Sequence, residues 1–444
     1  MIKINYTFLQ ETVYQSTLPN GLSLVVIPKR GYAKVYSIFA TKFGSYSSKF
    51  STNGETFSLP LGLAHFLEHQ LFESDGDVDI TNQFALLGAE CNAYTNYQET
   101  AYITSSSTKN EEVINLLLDY VQNPHFTAES IKEEQGIIEQ ERVMYLDKPG
   151  VRVHMGLLKN LYFNHPVRED IVGTKESIVA INDADMRKAY ETFYHPSNMM
   201  LVIVGDVDPN VMEQLVVVNQ SKKAFVPRRI PQTIIPDEPL EVVRRIGEEA
   251  MDIKMPKAVV GLKLPPLSRF NHSMIEVEAM LRIIQEYYFG ASSPLYQELI
   301  DSELFSTSYS NNFFIDQTCG YLYISANTKK PKEFVTRIEQ ALLELTLSSI
   351  DTDSFDKIHK AIIGSMIKSL NSLESIAHNV VEYMFMGEDL FSGFSSIQQM
   401  KKDDLLPLQS FFIEQAISTY IINPLSSSLS QNDSFFQNEE KNNQ

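Results

Sequence analysis

The chain has 444 residues, of which 37 are Lys or Arg and 56 are Asp or Glu, and its formal net charge at pH 7 is −19. A chain of this length is too long for a single hydrophobic core, so the sequence predicts two or more domains. The excess of negative charge argues against nucleic acid and anionic membranes as partners.

The cysteine content and the start of the chain predict a cytoplasmic protein. Cys91 and Cys319 are the two cysteines of the sequence, which suits a reducing compartment better than a disulfide framework. The first residues show no charged segment followed by an apolar one, so no signal peptide is predicted. The longest apolar runs, such as residues 199–204, have the length of strands and are too short to span a bilayer.

The first elements predicted along the chain are strands. Residues 21–27 and 35–41 are rich in β-branched and aromatic side chains, and turn residues separate them. Residues 44–60 are polar and turn-rich, and they lead into the segment GLAHFLEHQLFE at residues 62–73.

This segment predicts a helix with a metal-binding face. At 100° per residue, His65 and His69 lie one turn apart on the same face, and Glu68 lies at its edge. Two imidazoles with a carboxylate beside them suit a catalytic zinc ion, because the carboxylate can deprotonate a zinc-bound water. The order His-x-x-Glu-His inverts the commoner zinc motif. Two solvated histidines on an exposed helix would give the same pattern, so the rest of the chain must supply a third ligand.

After this helix, the sequence predicts a break at residues 75–77 and a short helix near residues 81–87. Residues 91–95 and 100–104 predict a pair of strands, and residues 110–122 an amphipathic helix.

A Glu-rich helix follows and offers the missing ligand. Thr127 is the predicted N-cap, and the helix is expected to stop by residues 148–150. Glu134 and Glu141 are seven residues apart and therefore project from one face, although a solvated charged face would show the same spacing. Gly136 in the middle of the helix predicts close packing against another element.

At this point the sequence resembles the insulinase/pitrilysin family of zinc peptidases. The resemblance rests on His65-Phe-Leu-Glu-His69 followed by Glu141, on GAECNAYT at residues 88–95 and on FYHPSN at residues 193–198. It covers roughly residues 15 to 210 and is closer to the short bacterial members, which are related in architecture to the mitochondrial processing peptidase subunits.

The resemblance implies a role for each matching residue. His65, His69 and Glu141 would bind one zinc ion per chain, Glu68 would be the general base, and Glu134 would support the site through a ligand. The strand Asn92, Ala93, Tyr94 and Thr95 resembles the family's edge strand, which pairs with the backbone of a peptide substrate. Pairing of this kind binds an extended peptide largely without reading its sequence.

The resemblance also implies an α+β fold of two similar lobes, each an antiparallel sheet packed with helices. We expect the zinc-binding lobe at residues 1–218 and the second lobe at residues 241–425. Residues 219–240 are rich in proline and charge and predict a linker. Residues 426–444, rich in Ser, Asn and Gln, predict a disordered tail.

In the second half, residues 258–264 predict a strand, residues 274–289 a helix that Gly290 ends, and residues 304–314 and 320–326 a hairpin. Residues 332–348 and 354–386 are predicted to be helical.

This half departs from the family pattern in one respect. Family members usually carry an Arg and, seven residues later, a Tyr that help to hold the substrate carbonyl. The aligned positions here are Ile300 and Thr307, which cannot stabilise a developing oxyanion in that way, and Tyr309 is out of register by two. In processing-peptidase-like pairs the zinc motif and the Arg/Tyr pair lie on different subunits, so a paired subunit is the expected partner.

The sequence therefore predicts a zinc endopeptidase subunit that cleaves small or extended peptides, as the metal-bearing half of a heterodimer. Two alternatives stay open. The chain could be a zinc-binding scaffold of a peptide- or protein-modification complex, or a different zinc hydrolase that acts on a modified peptide.

Overall fold

A computed structural model describes residues 1–72 and 79–425. The break predicted at residues 75–77 and the tail predicted at residues 426–444 lie outside these described residues. Among the helices of the described part, none combines the length and apolar character needed to cross a bilayer.

The first half of the chain contains both strands and helices. In order they are β1 (Ile2–Tyr6), β2 (Glu11–Thr17), β3 (Ser23–Pro28), β4 (Val35–Thr41), β5 (Lys49–Thr52), β6 (Glu55–Ser58), α1 (Leu63–Phe72), α2 (Ile80–Leu86), β7 (Ala89–Thr95), β8 (Thr100–Ser106), α3 (Asn110–Val121), α4 (Ala128–Leu146), α5 (Pro149–Leu161), α6 (Lys175–Ala180), α7 (Asp183–Phe193), β9 (Met199–Gly205) and α8 (Pro209–Ser221).

The second half also contains both. Its elements are β10 (Gln232–Thr233), β11 (Ile246–Met251), β12 (Lys257–Leu264), α9 (Met274–Phe289), α10 (Pro294–Asp301), β13 (Thr307–Ile315), β14 (Gly320–Asn327), α11 (Pro331–Glu344), α12 (Thr352–Ser369), α13 (Leu373–Phe385), α14 (Leu390–Gln399) and β15 (Ile417–Pro424).

The two halves build sheets that share a five-strand order, and the N-terminal sheet has two further strands, β1 and β2. The N-terminal sheet has the order β1-β2-β3-β9-β4-β8-β7, and the C-terminal sheet has the order β11-β15-β12-β14-β13. In each, one pair of strands is parallel, β3 with β9 in the first sheet and β11 with β15 in the second, and β9 and β15 are the last strands of their lobes. The remaining pairs of both sheets are antiparallel. The predicted α+β fold of two similar lobes is confirmed, with one parallel pair making each sheet mixed.

The two lobes exchange a helix. Helix α5 follows the Glu-rich helix of the first half but packs on β12 and β15 of the second sheet. Leu157 of α5 fills the space above Gly261, where a Cβ would come within 2.7 Å of it. In return, α13 packs on β4 and β9 of the first sheet. Each sheet is therefore covered on one face by a helix from the other half of the chain, which buries apolar surface between the lobes.

Most predicted elements agree with the structure. The predicted helix at residues 274–289 has the same bounds as α9, and Thr127 is the N-cap of α4 with its side chain accepting from the Ser130 amide. The predicted helical stretch 354–386 is two helices, α12 and α13, with a turn between them. The close packing predicted at Gly136 is wrong, because no atom lies within 4 Å of the place of a Cβ there.

The segment predicted as a linker at residues 219–240 holds the end of α8 and the short strand β10. β10 pairs with β5, so this segment adds a strand to the small sheet β10-β5-β6. The domain boundaries at residues 218 and 240 stay a prediction.

A glycine fixes where α1 begins. Gly62, directly before α1, has φ +85°, and a Cβ there would overlap the carbonyl oxygen of Val172. Gly173 has φ +90°, and its Cβ would lie 2.6 Å from the Leu61 carbonyl oxygen. The two chain segments therefore approach as closely as backbones can, which only glycine allows. This contact anchors the start of α1 against the loop before α6.

Gly62→Ala should lower the free energy of unfolding by at least about 2 kcal/mol, because it combines a strained φ with a backbone clash. Gly54→Ala is the matched control, since Gly54 has φ +84° and open space around its Cβ position. It should cost about 1 kcal/mol. Chemical denaturation of both variants measures the difference, and equal losses would mean that the contact with Val172 does not constrain α1.

Candidate metal centre

The start of helix α4 is fastened to the end of helix α1 by a buried amide. Gln70 is fully buried, and its Nε2 donates to the Ser130 carbonyl oxygen at 3.4 Å. The Ser130 hydroxyl donates back to Oε1 of Gln70 at 3.0 Å. Ser130 also closes the capping box of α4 with Thr127. These bonds set the height at which α4 lies along α1, and so which α4 side chains meet the two histidines.

At this height Glu141 of α4 meets both histidines of α1. Its Oε2 lies 3.7 Å from Nε2 of His65 and 3.5 Å from Nε2 of His69. One ligand atom from each of the three residues lies within 4.8 Å of the other two. Ligands held tetrahedrally at about 2.0–2.2 Å from a zinc ion are separated by about 3.3–3.6 Å. The three side chains are thus close to the spacing that one zinc ion requires.

The donor atoms also suit a cation in their chemistry. Oε2 of Glu141 is buried and has no hydrogen-bond partner among the residues described, which is costly for a carboxylate unless a cation compensates it. Burial, with a smaller contribution from His69, lowers the pKa of His65 to about 3. His65 is therefore neutral at physiological pH and keeps a lone pair for a metal. Two imidazole nitrogens and one carboxylate oxygen form a donor set that zinc accepts.

Glu134 contacts one of the two histidines through the ring nitrogen that does not face Glu141. Its Oε1 lies 2.8 Å from Nδ1 of His69, and the carboxylate is buried with 4% exposure. Burial acts to lower the pKa of His69, but the hydrogen bond and charge of Glu134 outweigh it and raise that pKa. This bond leaves Nε2 of His69 directed at Glu141, the arrangement in which a carboxylate orients a metal-binding histidine. Nδ1 of His65 is buried without a comparable partner in the described residues.

The Glu68 side chain lies near the candidate ligand atoms, but it is not one of the three candidate ligands. The side chain is buried with 8% exposure, and its Oε2 accepts a hydrogen bond from the Thr95 hydroxyl at 2.7 Å. Burial raises the pKa of Glu68, while the Thr95 bond opposes this shift. The second oxygen of the carboxylate remains for a proton. This is the geometry that a general base next to a metal needs.

Thr95 is the last residue of β7, and β7 is an outer strand of its sheet among the described residues. The four residues predicted to bind substrate, Asn92 to Thr95, all belong to this strand. The Asn92 side chain accepts from the backbone amide of Ala93 at 2.9 Å. The outer edge thus carries backbone groups that an extended peptide could pair with.

The structure does not provide a substitute for the Arg/Tyr pair at the aligned positions. Ile300 lies in the last turn of α10 with 42% exposure, and Thr307 begins β13 and is exposed. The Tyr309 hydroxyl donates to the Phe289 carbonyl oxygen at 2.9 Å. The Tyr309 hydroxyl is therefore already hydrogen-bonded within its own lobe.

Sequence reasoning missed two parts of the site. The Gln70–Ser130 clamp joins residues 60 apart, and neither belongs to a recognisable motif. The bond between Thr95 and Glu68 joins an edge strand to a helix 27 residues earlier. The spacing of Glu134 and Glu141 indicated a shared face, but only the packing of α4 on α1 shows what that face contacts.

Sequence profiles of two protein families match the chain. The profile of the insulinase family, peptidase family M16, matches residues 59–175, which include all the candidate metal-binding residues. The profile described as the M16 inactive domain matches residues 180–362.

Similar proteins are found along nearly the whole length. The uncharacterized zinc protease YmfH of Bacillus subtilis is 37% identical over 408 residues, which cover 91% of this chain and 95% of YmfH. Zinc protease PqqE of Helicobacter pylori is 24% identical over 430 residues, 91% of each chain. An M16-like peptidase from Alicyclobacillus acidocaldarius superposes with a TM-score of 0.87 at 32% identity, covering 94% of this chain and 99% of that one.

Glu141→Gln should weaken zinc binding sharply, because an amide oxygen is a far poorer ligand than a carboxylate. Glu139→Gln is the control from the same helix, since Glu139 pairs with Arg142 at 2.7 Å and does not reach the histidines. We expect about one zinc ion per chain in the wild type and in Glu139→Gln, measured by metal analysis after dialysis. Equal zinc retention by both variants would remove Glu141 from the ligand set.

Proposed function

The chain belongs to the insulinase family of zinc metalloproteases, M16, and we propose that it is the metal-bearing subunit of an endopeptidase for small or extended peptides. The observation that carries this proposal is the position of buried Glu68. It lies next to the group formed by His65, His69 and Glu141 and is bonded to Thr95 at the end of an outer strand. The proposed base, the proposed metal ligands and the outer strand to which we assign the peptide thus lie close together.

His65, His69 and Glu141 would hold the zinc ion, with Glu134 fixing the His69 ring. A bound zinc ion would supply Lewis-acid chemistry, polarising the scissile carbonyl and lowering the pKa of a water molecule. Three protein ligands are the number typical of catalytic zinc sites, whereas structural zinc sites usually have four.

Glu68 would move the proton. Its Oε2 is held by the Thr95 hydroxyl, so the carboxylate cannot rotate freely and its other oxygen keeps one direction. That oxygen would take a proton from the attacking water and pass it to the leaving amine. Because burial favours the neutral carboxyl group, the site is suited to hold the proton between these two transfers.

β7 would hold the substrate. A peptide that pairs with the outer edge gains main-chain hydrogen bonds independent of its side chains. At Ala93 the incoming backbone would replace the Asn92 side-chain oxygen that now accepts from the amide. The exchange trades one hydrogen bond for another, so it costs little and protects the edge when no peptide is present.

The paired subunit supplies what this chain lacks. At the aligned positions Ile300 has no side-chain hydrogen-bond donor, Thr307 has a hydroxyl in place of a guanidinium or a phenol, and the Tyr309 hydroxyl is bonded within its own lobe. We therefore propose a heterodimer whose second chain carries the Arg/Tyr pair. The two cysteines and the net charge of −19 support a cytoplasmic complex that binds neither nucleic acid nor membranes.

Glu68→Gln should keep the zinc ion and lower turnover by at least about 10²-fold, since an amide has the same shape but cannot accept the proton of water. Zinc content and cleavage of a quenched peptide library, both measured with the partner present, test this. A Glu68→Gln protein that cleaves peptides at nearly the full rate would show that another group is the base. A wild type that binds zinc and cleaves no peptide would favour a scaffold.

This chain alone should bind zinc but cleave poorly, because loss of a preorganised oxyanion donor typically costs about 10²–10³ in rate. Mixing it with a similar-sized chain that carries the Arg/Tyr motif and lacks His-x-x-Glu-His should restore activity. Light scattering should then report about twice the mass of this chain. Full activity of a monomer or homodimer would contradict the paired-subunit proposal.

A further inference from the structure

A cavity of about 210 Å³ lies in the second lobe between the helices α9, α12, α13 and α14. Helix α9 faces it with one stripe of side chains, Ile275, Glu278, Ala279 and Arg282. This volume corresponds to about seven water molecules at roughly 30 Å³ each, and it lies below the range of about 300–1,000 Å³ typical of pockets for drug-sized ligands. The cavity therefore suits a small molecule and not a segment of a peptide chain.

Two opposite charges of α9 face the cavity without pairing with each other. Glu278 and Arg282 are four residues apart, with the acid first, which is the favoured order for a direct ion pair on a helix. Instead, the Glu278 carboxylate accepts a hydrogen bond at Oε2 from the Tyr383 hydroxyl. The Arg282 guanidinium lies over the Phe313 ring, 5.2 Å from its centroid. Within the described chain, Arg282 has no hydrogen bond or ion pair, and Oε1 of Glu278 has no hydrogen-bond donor.

The surroundings of Glu278 lack a cation that would compensate its charge. Burial is the largest influence on this carboxyl group, and it raises the pKa of Glu278 to about 7. The charges of Glu382 and Glu388 act in the same direction, whereas the bond from Tyr383 and the charge of Arg282 oppose it. A positively charged group at Oε1 would favour the ionised carboxylate. The carboxylate end of the cavity is therefore suited to an ammonium group.

The rest of the wall is mainly apolar. Its aliphatic and aromatic side chains come from all of these helices except α13, and they are Ile275, Ala279, Ile362, Met366, Leu390 and Phe394. An apolar group placed against them would be removed from water. Because the Cβ atoms of an i, i+4 pair lie roughly 5–6 Å apart, one molecule with an ammonium and a carboxylate on the same carbon can meet both charges of α9.

We propose that this cavity binds a free α-amino acid with an aliphatic side chain, of which leucine is the test case. Its ammonium group would bond Oε1 of Glu278, its carboxylate would bond Arg282, and its side chain would pack against the apolar wall. The site is separate from the metal centre, since none of the candidate metal ligands lines the cavity.

Helix α13 connects the cavity to the edge strand of the first sheet. It contributes Tyr383 to the cavity. On another face it carries His378, whose Nε2 lies 3.0 Å from the Tyr36 hydroxyl and whose Nδ1 lies 3.3 Å from the Tyr94 hydroxyl of β7. A bound amino acid should therefore slow hydrogen exchange in α9 and α13, the helices that it would bridge.

The test is a ligand-observed NMR titration of the full chain with leucine, N-acetyl-leucine and leucinamide. Leucine should bind, and each analogue should bind at least about tenfold more weakly, because each has lost one charged hydrogen-bonding group. Aspartate should bind more weakly than leucine, because its side chain would bring a second carboxylate to an apolar wall. Absence of leucine binding up to about 10 mM, or equal binding of N-acetyl-leucine, would overturn the proposal.

Variants then locate the site. Glu278→Gln can still accept from Tyr383 but has lost the charge, so it should weaken leucine binding by at least about tenfold. Glu286→Gln is the matched control, because Glu286 belongs to the same helix but is exposed and does not line the cavity. It should leave the affinity unchanged.

Glu141→Gln separates this site from the metal centre. It should bind leucine as the wild type does, since Glu141 lies outside the cavity. An affinity unaffected by Glu278→Gln, or lost in Glu141→Gln, would show that leucine binds elsewhere in the chain. These measurements need no turnover, so their outcome does not depend on the proposed peptidase function.

Discussion

The fixed height of α4 along α1 is the constraint on which the site depends. The candidate ligands come from two helices, and Glu141 reaches both histidines only at one relative height. The bonds between Gln70 and Ser130 fix this height near the start of α4. The contact of His69 with Glu134 fixes it one turn further along α4. Gln70 is fully buried, so a shift of either helix would leave its amide unpaired. Polar contacts remote from the ligand atoms therefore decide where the third ligand lies.

The two lobes share a strand order but have different roles. Helix α9 precedes the hairpin of the second sheet as α1 and α2 precede that of the first, yet its sequence MIEVEAMLRIIQEYYF contains no histidine and buries mostly apolar side chains. The second lobe instead contributes structure, because α13 covers the first sheet and α5 covers the second. This exchange makes each sheet depend on the other lobe for the burial of its apolar face. Through His378 it also connects the edge strand β7 to the second lobe.

Local patterns predicted much of this fold and site. The helix of His65 and His69, the N-cap at Thr127 and the strands on either side of residue 98 follow from periodicity and capping within a few residues. The exchange of α5 and α13 could not be predicted, since an amphipathic helix does not specify which sheet it covers. The same holds for the bond of Thr95 to Glu68, because a threonine in a strand is ordinary until the packing of α1 brings a buried carboxylate to it. Gly136 shows the converse error, in which a local irregularity suggested a contact that the fold does not make.

If β7 pairs with the backbone of a peptide substrate, selectivity between substrates has to come from contacts with their side chains. Backbone pairing with β7 would bind any extended peptide, and at Ala93 the Asn92 side chain already accepts from the amide that such a peptide would use. Discrimination must then arise where alternate substrate side chains meet the protein. On one face of β7 the substrate side chains would meet α1 and the candidate metal-binding residues, whose positions the chemistry constrains. On the other face of β7 the substrate side chains would meet a cleft lined by Tyr94 and Glu374, whose shape no catalytic step constrains. That cleft is thus the part of the proposed site that could change in selectivity while the catalytic geometry stays the same.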